Sequence, residues 1–254
     1  MFLSMLLIDV GSNPDRPRPG RIWLRNRYRV HQRLCMAFPS KQQKESDDAF
    51  LQLFAPDQFA QGHVHVRRDG DSGFLFRVDP HSGGRCVILV LSAIEPDWDY
   101  AFHNAGHLLA GPTKIRSFSP EIAAGQSWRF RIACNAVFRA RKASAHVGEA
   151  IHEKWVGKRI GVSGDERTLR NWIDRRADGA GFRVLEIALA LPGYVYVNRS
   201  KGGAVGQQLR SVLYEGILAV VEPEKFRSAL ASGIGTAKAF GFGLLSIAPL
   251  RGKS

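Results

Sequence analysis

The sequence predicts an α+β protein built from two tandem ferredoxin-like (RRM-like) domains with antiparallel sheets, residues 1–118 and 119–254. Three observations predict it. Each half reads as strand, helix, strand, strand, helix, strand, the ferredoxin-like order. With 254 residues, 44% of them apolar, the chain can bury a core in each half. Its 36 Lys and Arg against 23 Asp and Glu leave a formal charge of +13, and the same element order builds RNA-recognition domains.

Met1–Val10 reads as the opening strand, ending at Gly11 before a Pro/Arg-rich loop through Gly20. A helix is expected from about Asn26 to Pro39, which supplies the stop. On a helical wheel Val30, Leu34, Ala37 and Phe38 share one arc, which should face a core. A short helical pattern, Asp47–Phe54, follows, then a loop over 55–72 in which the alternation His63-Val64-His65-Val66 could also form a short strand. Gly73–Val78 and Arg85–Ser92 read as strands split by the turn Pro80–Gly84, and Glu95-Pro96-Asp97-Trp98 leads into a short helix or loop. The pattern weakens over Pro112–Pro120, where the domain boundary is placed.

The second half opens with a strand at Ser127–Cys134, alternating Trp128, Phe130 and Ile132. After a basic connection (Arg139, Arg141, Lys142, Lys158, Arg159), a helix is expected over Ser163–Asp178, with acids in its first turn and arginines near its end. Strands Phe182–Leu191 and Leu209–Val220 flank a basic connection, Tyr194–Gln208, carrying Arg199 and Lys201. A hairpin tip of that kind can reach a nucleic-acid groove or equally be a solvated turn. Pro223–Ser232 reads as the last helix and Leu244–Ala248 as the last strand.

The charge asks for a polyanionic partner, and its distribution favours phosphate. Seven arginines (Arg16, Arg18, Arg21, Arg25, Arg27, Arg29, Arg33) crowd the first helical region, with Asp15 the one neighbouring acid. Cys35, Cys86 and Cys134 are too few and too far apart for a disulfide framework or a zinc site. His63 and His65 alternate but lack a third ligand, so no metal site is expected. No cofactor motif is present, which ranks a basic metabolic enzyme last. The apolar start, Phe2–Ile8, is too short to span a membrane, and the cytoplasm is the expected location.

Two segments carry candidate chemistry. Gly233–Gly243 is neither a dinucleotide fingerprint nor a P-loop, yet its repeated glycines (Gly235, Gly241, Gly243) and Lys238 could bring backbone N–H groups and a charge to a phosphate. On the first helix Tyr28 and His31 are three residues apart and share a face. His31 falls at the margin between the apolar arc and the arginines, so it is partly desolvated yet reachable. RNA carries its own nucleophile, the 2′-hydroxyl, so a cleaving protein needs only to align it, move protons and stabilise charge. Taken alone, a histidine at such a boundary more often packs than catalyses.

Read together, these residues resemble the CasE family, the CRISPR-RNA processing endoribonuclease of type I-E systems. The resemblance spans nearly the whole chain and is strongest where Val212-Leu213-Tyr214-Glu215-Gly216 leads to Gly-x-Gly-x-x-Lys-x-x-Gly-x-Gly-Leu-Leu at Gly233–Leu245. It implies binding of the CRISPR repeat stem-loop and a metal-independent cut by 2′-hydroxyl attack, with retention of the product in the Cascade surveillance complex. It also implies His31 and Tyr28 as catalytic residues, since family members use a helix-1 histidine with a tyrosine three residues before it. Arg27, Arg33, Lys158, Arg159, Arg199, Lys201, Lys238, Gly235, Gly241 and Gly243 are the expected RNA-binding residues. The lysine that some relatives carry five residues beyond the histidine is Met36 here, leaving Arg27 or Lys238 to meet the charged phosphate. Expected partners are the repeat RNA and other Cascade subunits; the isolated protein is expected to be a monomer, with no membrane and no cofactor. The rival expectation is a hairpin-binding module of the same fold that does not cut.

Overall fold

The computed structural model describes residues 1–11, 19–38, 73–140, 155–199 and 206–250. The helical pattern at Asp47–Phe54, the histidines His63, His65, His146 and His152, and Lys201 lie outside the described residues.

Two four-stranded antiparallel sheets organise the chain. The first contains β1 (Phe2–Asp9), β2 (Phe74–His81), β3 (Arg85–Ser92) and β4 (Lys114–Ser117) in the order β2-β3-β1-β4. The second contains β5 (Ser127–Cys134), β8 (Phe182–Val197), β9 (Gln207–Val220) and β10 (Leu245–Pro249) in the order β10-β5-β9-β8. If strands are numbered within each half, both sheets have the ferredoxin-like arrangement that the element order predicted. A short ribbon, β6 (Val137–Arg139) with β7 (Arg159–Gly161), lies in what the sequence marked only as a basic connection.

The helices are α1 (Pro19–Arg25), α2 (Arg27–Cys35), α3 (Trp98–Phe102), α4 (Glu166–Gly179) and α5 (Pro223–Ser232). Where one helix was expected from Asn26, two meet there. Asn26 has extended backbone (φ −105°, ψ 101°) and its side chain accepts from Tyr28 N–H, so it ends α1 and caps α2. The predicted arc holds: Val30, Leu34 and Ala37 are buried with Leu6, Ile8, Phe76, Ile88 and Val90 in the first core. The second core gathers Phe130, Ile132, Leu169, Ile173, Phe182, Tyr214 and Phe226.

β4 falls inside the stretch read as a boundary. All four of its residues are exposed, so it has no apolar alternation to reveal it; pairing with β1 alone makes it a strand. β8 runs past Pro192 and Gly193 to Val197, where the sequence suggested an end at Leu191. Proline is tolerated because β8 is an edge strand.

The chain forms two compact units that are not contiguous in sequence. One comprises residues 1–120, 196–207 and 238–241; the other comprises 121–195, 208–237 and 242–254. The end of β8 and one turn of the glycine-rich segment therefore belong with the N-terminal sheet.

Candidate active site

Within the first unit, three segments far apart in sequence converge. α2 supplies Tyr28 and His31, the end of β8 supplies Asn198 and Arg199, and the turn Lys238–Phe240 supplies an aromatic ring.

His31 sits at the edge of the core, half-buried, as its place on the helix predicted. Its ring lies 5.5 Å from that of Phe74 and is stacked 6.4 Å from Phe76, both on β2. Nδ1 is buried, and Nε2 lies 3.6 Å from the Sγ of Cys35, one helical turn on. Cys35 is thus a direct neighbour of the histidine. Phe74 and Phe76 were legible only as strand residues; nothing in their spacing tied them to His31.

Tyr28 lies on the same helix face. The Arg199 guanidinium stands 5.9 Å from the Tyr28 ring and 4.9 Å from that of Phe240. Asn26 joins these segments. Its Nδ2 donates to the Asn198 carbonyl (3.0 Å), and its Oδ1 accepts from the Asn198 N–H (3.1 Å) and from the Tyr28 N–H (3.2 Å). The sequence marked Asn26 only as a helix start and assigned Asn198 no role at the site.

The other predicted binding residues separate into groups. Arg27 points into the fold: burial pushes its guanidinium down to about 10, while Cys86 and Asp79 nearby pull the other way. Arg33 is also lowered by burial and donates to the Ala101 carbonyl (3.0 Å) and to Asn104 Oδ1 (2.8 Å), fastening α2 to α3 and the residues after it. Lys238 lies in the turn beside Phe240. Lys158 and Arg159 are exposed in the second unit, Lys158 standing 5.4 Å over the Trp155 ring.

The glycines act on the backbone. Gly235, Gly241 and Gly243 have φ of +87°, +85° and +85°, a region that favours glycine. The Gly241 N–H donates to the Lys238 carbonyl (3.2 Å) and that of Gly243 to the Ala133 carbonyl (2.8 Å). Those two donors are committed inside the protein, which corrects the expectation that they face a phosphate. Gly235 borders a cleft of about 330 Å³ in the second unit with Arg175, Arg176 and Lys225. Among the described residues no three His, Cys, Asp or Glu side chains converge as metal ligands, and no helix is long and apolar enough to cross a membrane.

The CRISPR associated protein family matches residues 1–249. CRISPR-associated endoribonuclease Cse3 of Thermus thermophilus is 33% identical over 191 residues, which covers 71% of this chain and 82% of the relative. The chain belongs to the CasE (Cse3) family of CRISPR-associated endoribonucleases. Solved structures of that family share the fold. Cse3 bound to a 19 nt RNA superposes with a TM-score of 0.64 at 28% identity, covering 98% of this chain and 100% of that one. Thermus thermophilus Cse3 with an RNA representing a pre-cleavage complex gives 0.64 at 27% identity, with 98% of each chain covered. Cas6e from Escherichia coli K-12, at 21% identity and a TM-score of 0.59 over 98% of this chain and all of that one, has the same fold.

Proposed function

We propose that this protein binds the stem-loop of the CRISPR repeat, cuts precursor CRISPR RNA without a metal, and stays on its product as a subunit of the Cascade surveillance complex. It works in the cytoplasm beside its RNA and is a monomer when isolated. Membership of the CasE (Cse3) family supports the substrate. The observation that supports the chemistry is the Arg199 guanidinium, at the end of β8, standing 5.9 Å from the ring of Tyr28, which lies three residues before His31 on α2 in the same unit.

The reaction needs two proton transfers and charge stabilisation. The RNA 2′-oxygen attacks the adjacent phosphorus and gives up its proton as the bond to the 5′-oxygen breaks. The products are a 2′,3′-cyclic phosphate and a 5′-hydroxyl, whose oxygen takes up a proton. An imidazole can serve either transfer. With Nδ1 buried, Nε2 is the nitrogen through which His31 exchanges a proton, giving up its Cys35 contact to do so. Tyr28 stands beside it to orient the ribose or phosphate. Arg199 is exposed and presents a planar fork suited to phosphate oxygens, whereas Arg27 is sunk into the fold. Lys238 adds charge from the glycine-rich turn, and Lys158 and Arg159 hold the RNA backbone.

The test is purified protein with repeat stem-loop RNA in EDTA. Cleavage is expected to persist in the chelator, to disappear with a 2′-deoxy substitution at the cut site, and to disappear in His31→Ala while RNA binding remains. Tight binding by the wild-type protein with no cut would make it a hairpin-binding module instead.

A further inference from the structure

We infer that Asn26 is a positioning residue for the cut: its single side-chain amide caps α2 and grips the backbone of Asn198, and so fixes the Arg199 guanidinium beside Tyr28. The inference rests on the reading of this surface as the cleavage site.

The geometry is more than a helix cap. Capping requires one acceptor, and Asn26 Oδ1 provides it to the Tyr28 N–H at 3.2 Å. Serine, threonine or aspartate would do as much. Only an amide can also donate from Nδ2 to the Asn198 carbonyl at 3.0 Å while Oδ1 accepts from the Asn198 N–H at 3.1 Å. This reciprocal pair acts as one rung of a sheet ladder between residues 172 positions apart. The next residue is Arg199, an exposed cation on a long flexible stem. Its contacts with the Tyr28 and Phe240 rings, at 5.9 and 4.9 Å, are too weak alone to hold such a side chain in one place. Anchoring the backbone at Asn198 fixes the point from which that side chain starts before RNA arrives, and pre-positioned charge is what speeds a reaction that builds charge on phosphate.

Asn26→Ser and Asn26→Asp separate the two jobs, because both keep a capping oxygen and both lose the Nδ2 donor. Single-turnover cleavage of saturating stem-loop RNA is expected to slow by about tenfold in Asn26→Ser, inside the ~10²-fold that a 1 Å misplacement can cost. The melting temperature should stay near that of the wild type. Adding Asn26→Ser to Arg199→Ala should cost nothing further, because the clamp acts through Arg199. Wild-type rates in both Asn26 variants, or losses that multiply in the double variant, would overturn the inference. If the wild-type protein binds the stem-loop but does not cut, the cleavage reading fails by itself, and the clamp is then read from amide exchange at Asn198. Lost protection in Asn26→Ser supports the clamp; unchanged protection sinks it.

Discussion

Burial strips water from the Arg27 guanidinium and draws it down to about 10, an effect that nearby Asp79 and Cys86 only partly offset. The sign of the consequence is definite. A cation that loses its proton more readily folded than unfolded costs folding free energy throughout the pH range below about 10, where both states carry the charge. Asp79 does not depend on Arg27, since the Arg77 guanidinium meets both its oxygens, Nε to Oδ1 and Nη2 to Oδ2 at 2.9 Å each. Replacing Arg27 by Met should therefore keep the stem packed, remove the buried charge and leave stability equal or higher, as with other buried ions exchanged for apolar groups. Chemical denaturation checks the first half of this expectation. Cleavage checks the second: Arg27→Met should cut at close to the wild-type rate while Arg199→Ala loses about 10²-fold, the scale of one charge-stabilising donor. The reverse ranking would return the phosphate to Arg27.

The glycine-rich segment is where an element-level reading had to change. Its glycines looked like a phosphate cradle; instead they let the chain turn where side chains cannot go. A Cβ at Gly241 would approach the Phe76 ring to 3.1 Å, with φ already at +85°. Phe76 is the ring on which His31 stacks, so Gly241 sets the height of that floor. Gly241→Ala should lower stability by about 1–2 kcal/mol for the left-handed backbone alone. It should also slow cleavage by displacing Phe76, and a crystal structure or the melting curve with single-turnover rates would show both. A variant that loses stability but cuts normally would separate the floor from the histidine. The same scale shows what was legible. α2 was readable because Val30, Leu34 and Ala37 recur at helical spacing and go to the core, which also placed His31 at its margin. α1 was not: Pro19–Arg25 has one buried residue, Gly20, and so no apolar stripe to announce it. The partnership of Asn26 with Asn198 was invisible too, since a side-chain bond to backbone leaves no periodic trace across 172 positions.

At the scale of the molecule, the halves seen in sequence and the units seen in space differ. The end of β8 and residues 238–241 belong with the first unit, and they bring Arg199 and the Phe240 ring to the helix that carries Tyr28 and His31. Charge is the property that composition did reveal, and its use can be measured. Each phosphate neutralised releases counterions, so log K falls with log salt in proportion to the contacts made. Lys158 and Arg159 are exposed and belong to the unit that does not contain His31. Replacing both by Ala should reduce the salt slope of stem-loop binding by about two, one for each phosphate contact. The weakening should be similar for any repeat sequence of the same shape, because backbone contacts position without reading bases. Once RNA is saturating, the cleavage rate should match the wild type if these two residues serve binding alone. An unchanged slope would place these two cations off the RNA path and shift the contacts to other basic residues; a slowed cut at saturation would mean that they help to shape the site itself.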